Sequence, residues 1–366
     1  MRGGCGTVLR IRRAIYPLAQ LSRILMRRTR LTSLLILTAA AGCRGDEPQM
    51  AFVSERGGTH EIRLLTRSGD DRPLASAGAG AGLFPIAFAP QDPSLLAVRV
   101  VDTPTGPEEQ LMIVPVPGGQ PRPIGPLAAR ARNASWSPDG KWIAFESSTQ
   151  SFRDIYRMTA DGKHVRRLTD NREGNFEPEV SPDGKWIAFV SSRDGDAELY
   201  VIPARGGPAR RLTAFHRDDW SPRWSPDGSR IAFLSNRGGS DRIFVIDADG
   251  SAIRRLADRT DAQLSPDEQE MDPAWSPDGR EIAYTFRTRD GRSAIRIADA
   301  ATGKWRSISD AKGKDWMPAW SPDGRQIAFA SERGGDTDLY RMRADGKKVT
   351  RLTTARGADW LPRWVR

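Results

Sequence analysis

Downstream of residue 43 the sequence contains no cysteine: Cys5 and Cys43 are the only two in 366 residues. The remainder can form no disulfide within itself, so its stability must come from packing, and the count neither requires nor excludes an oxidising compartment. Histidine is almost as scarce. His60, His164 and His216 are the whole supply; they share no spacing, so a histidine-built metal site is not expected and each reads as a surface or turn residue. The string Gly-x-Ser-x-Gly is absent, GGSDR at Gly238 being the nearest, which removes the nucleophile elbow of a serine hydrolase. No catalytic residue is assigned. Helical periodicity is missing throughout.

Acidic residues are absent from residues 1–43, which carry eight arginines and no lysine; of the net charge of +10, the rest of the chain keeps only +2. A basic protein of this size invites a nucleic-acid reading, but the charge sits in the leader and that reading is set aside. From Met26 the sequence runs MRRTRLTSLLILTAAAGCRGDEP, a basic head, an apolar run from Leu31 to Ala41 and then small residues. This is the three-part form of a secretory signal. The apolar run is about half the ~20 residues a membrane-spanning helix needs. The ending AAGC resembles the lipobox of bacterial lipoproteins, with Ala40 where leucine is usual. The resemblance implies cleavage before Cys43 and lipid attachment there, several acyl chains being enough for stable anchoring; an ordinary signal with an incidental cysteine is the competing reading. Arg44 follows, where aspartate would favour retention at the inner membrane, so the outer membrane is favoured. The expected organisation is a leader over 1–43 with Met26 as the better start, a tether over 44–49 and one domain over 50–366.

That domain repeats. WSPDGKWIAF begins at Trp136, VSPDGKWIAF at Val180, WSPDGSRIAF at Trp224, WSPDGREIAY at Trp275 and WSPDGRQIAF at Trp320, with a weaker copy at Phe88 and a bare start at Trp364. A period of 44 to 51 residues falls in the range of propeller blades. Each unit reads as four short strands: one ending at the Trp position, a Ser-Pro-Asp-Gly turn, an apolar strand, a polar turn, a third strand, and a short fourth of the type RRLTA. Proline precedes the Trp position by two residues at Pro178, Pro222, Pro273, Pro318 and Pro362, which suits an edge strand. After the leader the chain opens with MAFVSERGG, a unit lacking its first strand, and it ends on DWLPRW, a first strand lacking the others. Joined, they complete one blade and remove two exposed edges. The expectation is an all-β, seven-bladed β-propeller of four-stranded antiparallel blades.

The repeats resemble those of the TolB-like propellers, over nearly all of residues 50–366. The resemblance implies the fold, a bacterial envelope setting facing the periplasm, and a role as a protein-binding platform. The chain departs from the family's namesake, which has six blades and an additional N-terminal α/β domain, so that protein's partners do not carry over. The same repeat forms the gating domain of prolyl-oligopeptidase-like peptidases, but seven blades leave no stretch for their catalytic domain.

Candidate site residues come from two places. Four and five residues before each Trp position stand Asn175-Phe176, Asp219-Trp220, Glu270-Met271, Asp315-Trp316 and Asp359-Trp360. These lie in the connections between blades, so they ring one mouth of the channel, and aromatic residues beside acids suit protein or glycan binding. The competing reading has each acid capping a turn and each aromatic packing between blades. Departures from the repeat supply the second set: Glu179, Arg223 and Arg363 stand where Ala274 and Ala319 are small, and Glu177 and Asp272 stand where Met317 and Leu361 are apolar. The insertion DRTDAQLSPDEQE at Asp258 falls on the same face, where it extends a binding surface. Asp194, Asp196 and Glu198 alternate as calcium ligands do, but a hairpin turn uses the same residues, and calcium needs ~6 to 8 oxygens; no cofactor is expected. The sequence thus predicts an envelope scaffold that binds a protein, or a glycan, at the inter-blade mouth. The alternative is a hydrolase or lyase holding a small polar substrate in the channel.

Overall fold

The computed structural model describes residues 47–365 apart from residues 105, 126–129, 149–151, 258–264 and 311–312. The leader, Cys43 and the first part of the insertion lie outside the described residues. Among the described residues, twenty-eight strands, β1–β28 in chain order, form seven four-stranded antiparallel sheets. The expected propeller is the observed one. The strand bearing the Trp position is innermost in each blade: β4 (Ala81–Phe88), β8 (Arg130–Trp136), β12 (Asn175–Val180), β16 (Asp219–Trp224), β20 (Gln269–Trp275), β24 (Asp315–Trp320) and β28 (Asp359–Trp364). Each packs on the next, and β28 packs on β4, which closes the ring. Blades are numbered from the closing one, so that blade 1 holds β28 and blade 7 holds β24.

Closure works as the chain ends suggest. In blade 1, β28 pairs with β1 (Pro48–Ser54) in a register of Met50 with Trp364, Ala51 with Arg363, Val53 with Trp360 and Ser54 with Asp359. The Val365 N–H donates to the Gln49 carbonyl at 3.0 Å, so β1 begins two residues inside the stretch read as tether. Second strands such as Ile187-Ala188-Phe189 are fully buried, and their rings pair with a ring on the third strand. Phe145–Tyr156, Phe189–Tyr200, Phe233–Phe244 and Phe329–Tyr340 have centroids 5.7 to 5.9 Å apart, within the range of favourable aromatic pairs.

In blades 5, 6, 7 and 1 the repeated tryptophan ties the blade to the one before it. The indole N–H of Trp224 donates to the Glu179 carbonyl at 3.1 Å, Trp275 to Arg223 at 2.9 Å, Trp320 to Ala274 at 3.1 Å and Trp364 to Ala319 at 2.9 Å. In the turn that follows, Ser225 donates to Asp227 at 2.6 Å, Asp227 accepts the Ser229 N–H at 3.0 Å, and the Arg230 N–H donates back to the serine at 2.9 Å. Gly228 supplies the positive φ of 72°, and a Cβ there would meet Pro182 of the preceding blade at 3.6 Å. The turns therefore stack around one face of the ring.

The prolines have a second role besides blocking a ladder. Immediately before them Glu177, Ser221, Asp272, Met317 and Leu361 adopt left-handed conformations with φ between 50° and 57°. Pairing is interrupted there: Trp220 faces Leu234 but Arg223 faces Ala232. Each inner strand thus carries a bulge, which breaks the alternation of side chains and re-aims them.

Candidate functional site: inter-blade mouth and channel

At the mouth the acids are held inside the wall. Asp219, Asp315 and Asp359 are fully buried, and each meets an arginine from its own blade's hairpin. Arg237 donates to both oxygens of Asp219 at 3.0 and 2.8 Å, Arg333 to Asp315 at 2.7 Å, and Arg56 to Asp359 at 2.6 Å. Asn175 takes the same place toward Arg193 at 3.3 Å, and Glu270 accepts the Ile243 N–H at 3.0 Å. The carboxylates thus clasp the hairpin to the inner strand. Trp220 and Trp360 are buried with 3% and 8% of their surface exposed. Trp316, Phe176 and Met271 are partly buried.

The second set converges on the channel. Arg223 of blade 5 pairs with Glu179 of blade 4 at 3.3 Å, their side chains 46% and 23% exposed. Arg363 of blade 1 interacts electrostatically with Arg223 and with Asp272 of blade 6. Arg363, Arg223 and Asp272 all stand on inner strands, the ones nearest the central channel. Burial and the facing Arg223 lower the pKa of Arg363 to about 10, against the pull of Asp272. Burial likewise raises Glu179, opposed by Arg223. Asp272 is raised by burial despite the Thr285 hydroxyl, which donates to it at 2.8 Å, and the Met317 N–H.

One member is anchored by residues that the repeat pattern hides. Glu146, on β9 (Trp142–Ser148), is fully buried where the aligned blades have Val190, Leu234 and Ala330. Arg132 and Arg153 approach it at 2.6 and 2.5 Å, and Asn133 at 2.9 Å; Arg132 also reaches Glu109 at 3.0 Å. Burial works against its charge, but the two arginines hold Glu146 down to about 2. Its other oxygen accepts the Glu177 N–H at 2.9 Å, and Glu177 in turn accepts the Ser221 N–H at 2.8 Å. This relay crosses blades 3, 4 and 5. The signal that could have found it is a charge in a column of the repeats that otherwise holds Val190, Leu234, Ala330 and the uncharged Thr285.

Burial, and next the Glu146 carboxylate, push Glu177 up to about 7, with Arg223 and the Ser221 N–H opposing. The folded chain therefore keeps a proton that the unfolded chain releases near 4.5. The resulting stabilisation is complete below 4.5 and is lost as pH rises through 7. Glu177→Gln keeps the acceptor for Ser221 and removes the buried charge. It should raise stability at pH 8 by on the order of 1–3 kcal/mol and flatten this part of the melting-temperature profile. An unchanged slope between pH 4.5 and 8 would contradict the assignment.

The remaining candidates are occupied locally. Asp194 accepts from Arg211 at 3.0 Å, Asp196 from the Arg217 N–H at 3.1 Å, and Glu198 from Arg211 at 2.8 Å and Thr213 at 2.5 Å. Among the described residues no group of three His, Cys, Asp or Glu is placed to hold a metal. His60 is buried rather than solvated: it meets Glu55 at 3.1 Å and packs against Phe84 and Trp360.

The comparisons agree with this architecture. The family model described as the TolB beta propeller domain matches residues 44–192, 170–272 and 264–366. A curated relative, the Tol-Pal system protein TolB of Methylococcus capsulatus, is 57% identical over 44 residues, 12% of this chain and 10% of the relative. A second, the uncharacterized protein Atu1656 of Agrobacterium fabrum, is 44% identical over 46 residues, 13% of this chain and 16% of the relative. The chain thus matches less than a fifth of the length of either. TolB from Acinetobacter baumannii superposes with a TM-score of 0.54 at 22% identity, covering 83% of this chain and 78% of that one. An oligogalacturonate lyase in complex with manganese superposes with a TM-score of 0.61 at 15% identity, covering 80% and 85%. At these identities the likeness concerns the fold alone, and the lyase shows that it extends to enzymes. The match along the whole described chain makes this protein a member of the TolB beta-propeller domain family.

Proposed function

We propose that the protein is an envelope-anchored scaffold that binds another protein through its inter-blade mouth, with lipid on Cys43 holding it at the periplasmic side of the outer membrane. The observation that carries this reading is the aromatic rim of Phe176 and Trp316, partly buried but with part of each ring at the surface, above a channel lined by unlike charges. Rims of this kind, aromatic with fixed polar groups nearby, are where binding energy concentrates. The relative's name, a protein of a Tol-Pal system, supports a protein partner in the bacterial envelope. A glycan partner rests on the same rim. The enzyme reading retains one specific support, a carboxyl near 7 beside an arginine, since catalytic acids are tuned in this way.

A crosslinked pull-down from whole envelopes tests the proposal. The lipidated protein is compared with a Phe176→Ala, Trp316→Ala variant whose melting temperature shows it to be folded. Recovery of one envelope protein by the first and its loss with the second is the expected result. Equal recovery by both would move the interface off this mouth, and turnover of a small polar substrate, abolished by Glu177→Gln, would replace the reading by an enzymatic one.

A further inference from the structure

The face formed by the stacked turns, opposite the mouth, has departures from the repeat of its own. There the Ser-Pro-Asp-Gly turn of a blade is bonded to the turn between its third and fourth strands. The Ala160 N–H donates to the Lys141 carbonyl at 2.9 Å, Ala204 to Lys185 at 2.8 Å, Ala248 to Ser229 at 2.9 Å and Ala344 to Arg325 at 3.0 Å, which aligns the blades position by position. Arg205 of blade 4 falls where Asp161, Asp249 and Asp345 stand, and Trp186 falls where Arg230, Glu281 and Gln326 stand. Blade 3 also has a tryptophan there, but Trp142 is buried, with the Arg157 guanidinium 4.4 Å from its ring. Trp186 is 40% exposed.

Positive charge gathers around it. Lys141, Lys163 and Lys185 are exposed, each beside the aspartate of its own turn, and those aspartates already accept turn N–H groups at 3.0 to 3.2 Å. Arg157, Arg166 and Arg205 have no ion-pair partner among the described residues. They meet at one junction: Arg157 donates to the Ala204 carbonyl at 2.9 Å, and the Arg166 guanidinium lies 3.2 Å from where a Cβ on Gly206 would stand. In blade 5 the same turns carry Ser229 and Ser251 in place of the lysines and add Asp247, so the basic area is confined to blades 3 and 4.

The chain enters on this face. Met50 pairs with Trp364, and the Arg67 N–H, from the turn between the third and fourth strands of blade 1, donates to the Glu47 carbonyl at 3.1 Å. β1 therefore starts at the turn end and runs toward the mouth. Cys43 lies outside the described residues but only four positions before Glu47, a reach of at most about 14 Å. A lipid on Cys43 thus draws the turn face, and not the mouth, to the bilayer.

We propose that the turn face of blades 3 and 4 docks on an anionic phospholipid surface, with Trp186 at headgroup level and the surrounding lysines and arginines on lipid phosphates. The proposal rests on the lipid anchoring of Cys43. Tryptophan is enriched at membrane interfaces, and each basic residue close to an anionic surface adds about fivefold in affinity. Blade 4 stands three blades away from blade 1, so lipid and basic area make two separate attachments, the number that stable anchoring takes. The mouth is left facing away from the bilayer.

Vesicle flotation tests this surface. The eight arginines of the leader would bind anionic vesicles unaided, so the chain from residue 44 is used, which contains the whole closed ring and carries no lipid. Vesicles of an equal mixture of phosphatidylglycerol and phosphatidylethanolamine should be bound, vesicles of phosphatidylcholine should not, and binding should be lost at about 0.5 M salt. Trp186→Gln combined with Arg205→Asp should weaken it by at least about tenfold. Both substitutions install residues that aligned blades carry, Gln326 and Asp161, so the variant should melt as the parent does. Equal binding to neutral vesicles, no binding to either kind, or an unchanged variant would overturn the proposal. A hexaglutamate peptide that competes as well as the mixed vesicles would assign the face to an acidic protein and overturn it too. Failure of the anchor is read separately: a Cys43 without lipid in the mass spectrum of the membrane form would remove the anchoring reading, whereas absent vesicle binding beside a lipidated Cys43 would remove this surface alone.

Discussion

Glu146→Ala should destabilise the propeller by about 3–5 kcal/mol, the cost of breaking a buried ion pair by removing one partner. The substitution leaves Arg132, which is buried, with Glu109 as its one remaining carboxylate, and removes the acceptor of the Glu177 N–H. Arg153, which is 24% exposed, can turn toward water, so Arg132 bears most of the loss. The pH dependence has a definite sign. The pKa of Glu146 lies at about 2, below its ordinary 4.5, so its contribution is present above 4.5 and is lost as pH falls toward 2. The variant should lack that segment of acid denaturation, and Glu177, relieved of a neighbouring carboxylate, should titrate nearer the ordinary range. Adding Val at position 146 and Phe at position 132 reproduces the Val190 and Phe176 pair of the next blade and should recover part of the loss, because apolar replacements of buried ion pairs are often neutral. Denaturant unfolding of the three proteins decides it. A loss below about 1 kcal/mol in the alanine variant would remove the network from the structural account.

Ending the chain after Ala358 should have the larger effect still. It deletes β28 and with it Trp360, the Asp359–Arg56 pair and the Trp364 indole bond to Ala319. Blade 1 is left with three strands and β1 exposes an unpaired edge beside the channel, a template for pairing with another chain. Losses of this kind approach the whole ~5–15 kcal/mol that a domain has in reserve. The expected result is loss of the cooperative melting transition or strand-exchanged oligomers, with partial rescue by a synthetic peptide covering residues 359–366. A truncated monomer melting within a few degrees of the full chain would show that the ring is not closed by this strand.

Blade number and closure were legible because each repeat carries its turn residues at fixed offsets and the two chain ends are complementary fragments of one unit. The bulges were not. Glu177, Ser221, Asp272, Met317 and Leu361 have no shared chemistry, and a left-handed conformation in such residues comes from the ring geometry and the following proline, with Asn133 and Asp272 the usual occupants. The acids of the mouth were legible as a pattern but not as clasps, although Ser-x-Arg recurs in step with them at Ser191-Arg193, Ser235-Arg237 and Ser331-Arg333. An acid repeated in blade after blade belongs to what every blade needs. Glu177, Glu179, Arg223, Asp272 and Arg363 stood out because they break the repeat. Glu146 breaks it as well, but one strand further out, where the aligned residues were read only as core.

The scaffold reading is tested most directly by placing a photocrosslinking side chain at one face of the ring and then the other. Position 316 lies at the inter-blade mouth, and position 186, where Trp186 is 40% exposed, follows a Ser-Pro-Asp-Gly turn at the opposite end. Illumination of whole envelopes should yield one discrete adduct from position 316 and none from 186. An adduct from 186 alone would place the partner on the turn face and contradict the account.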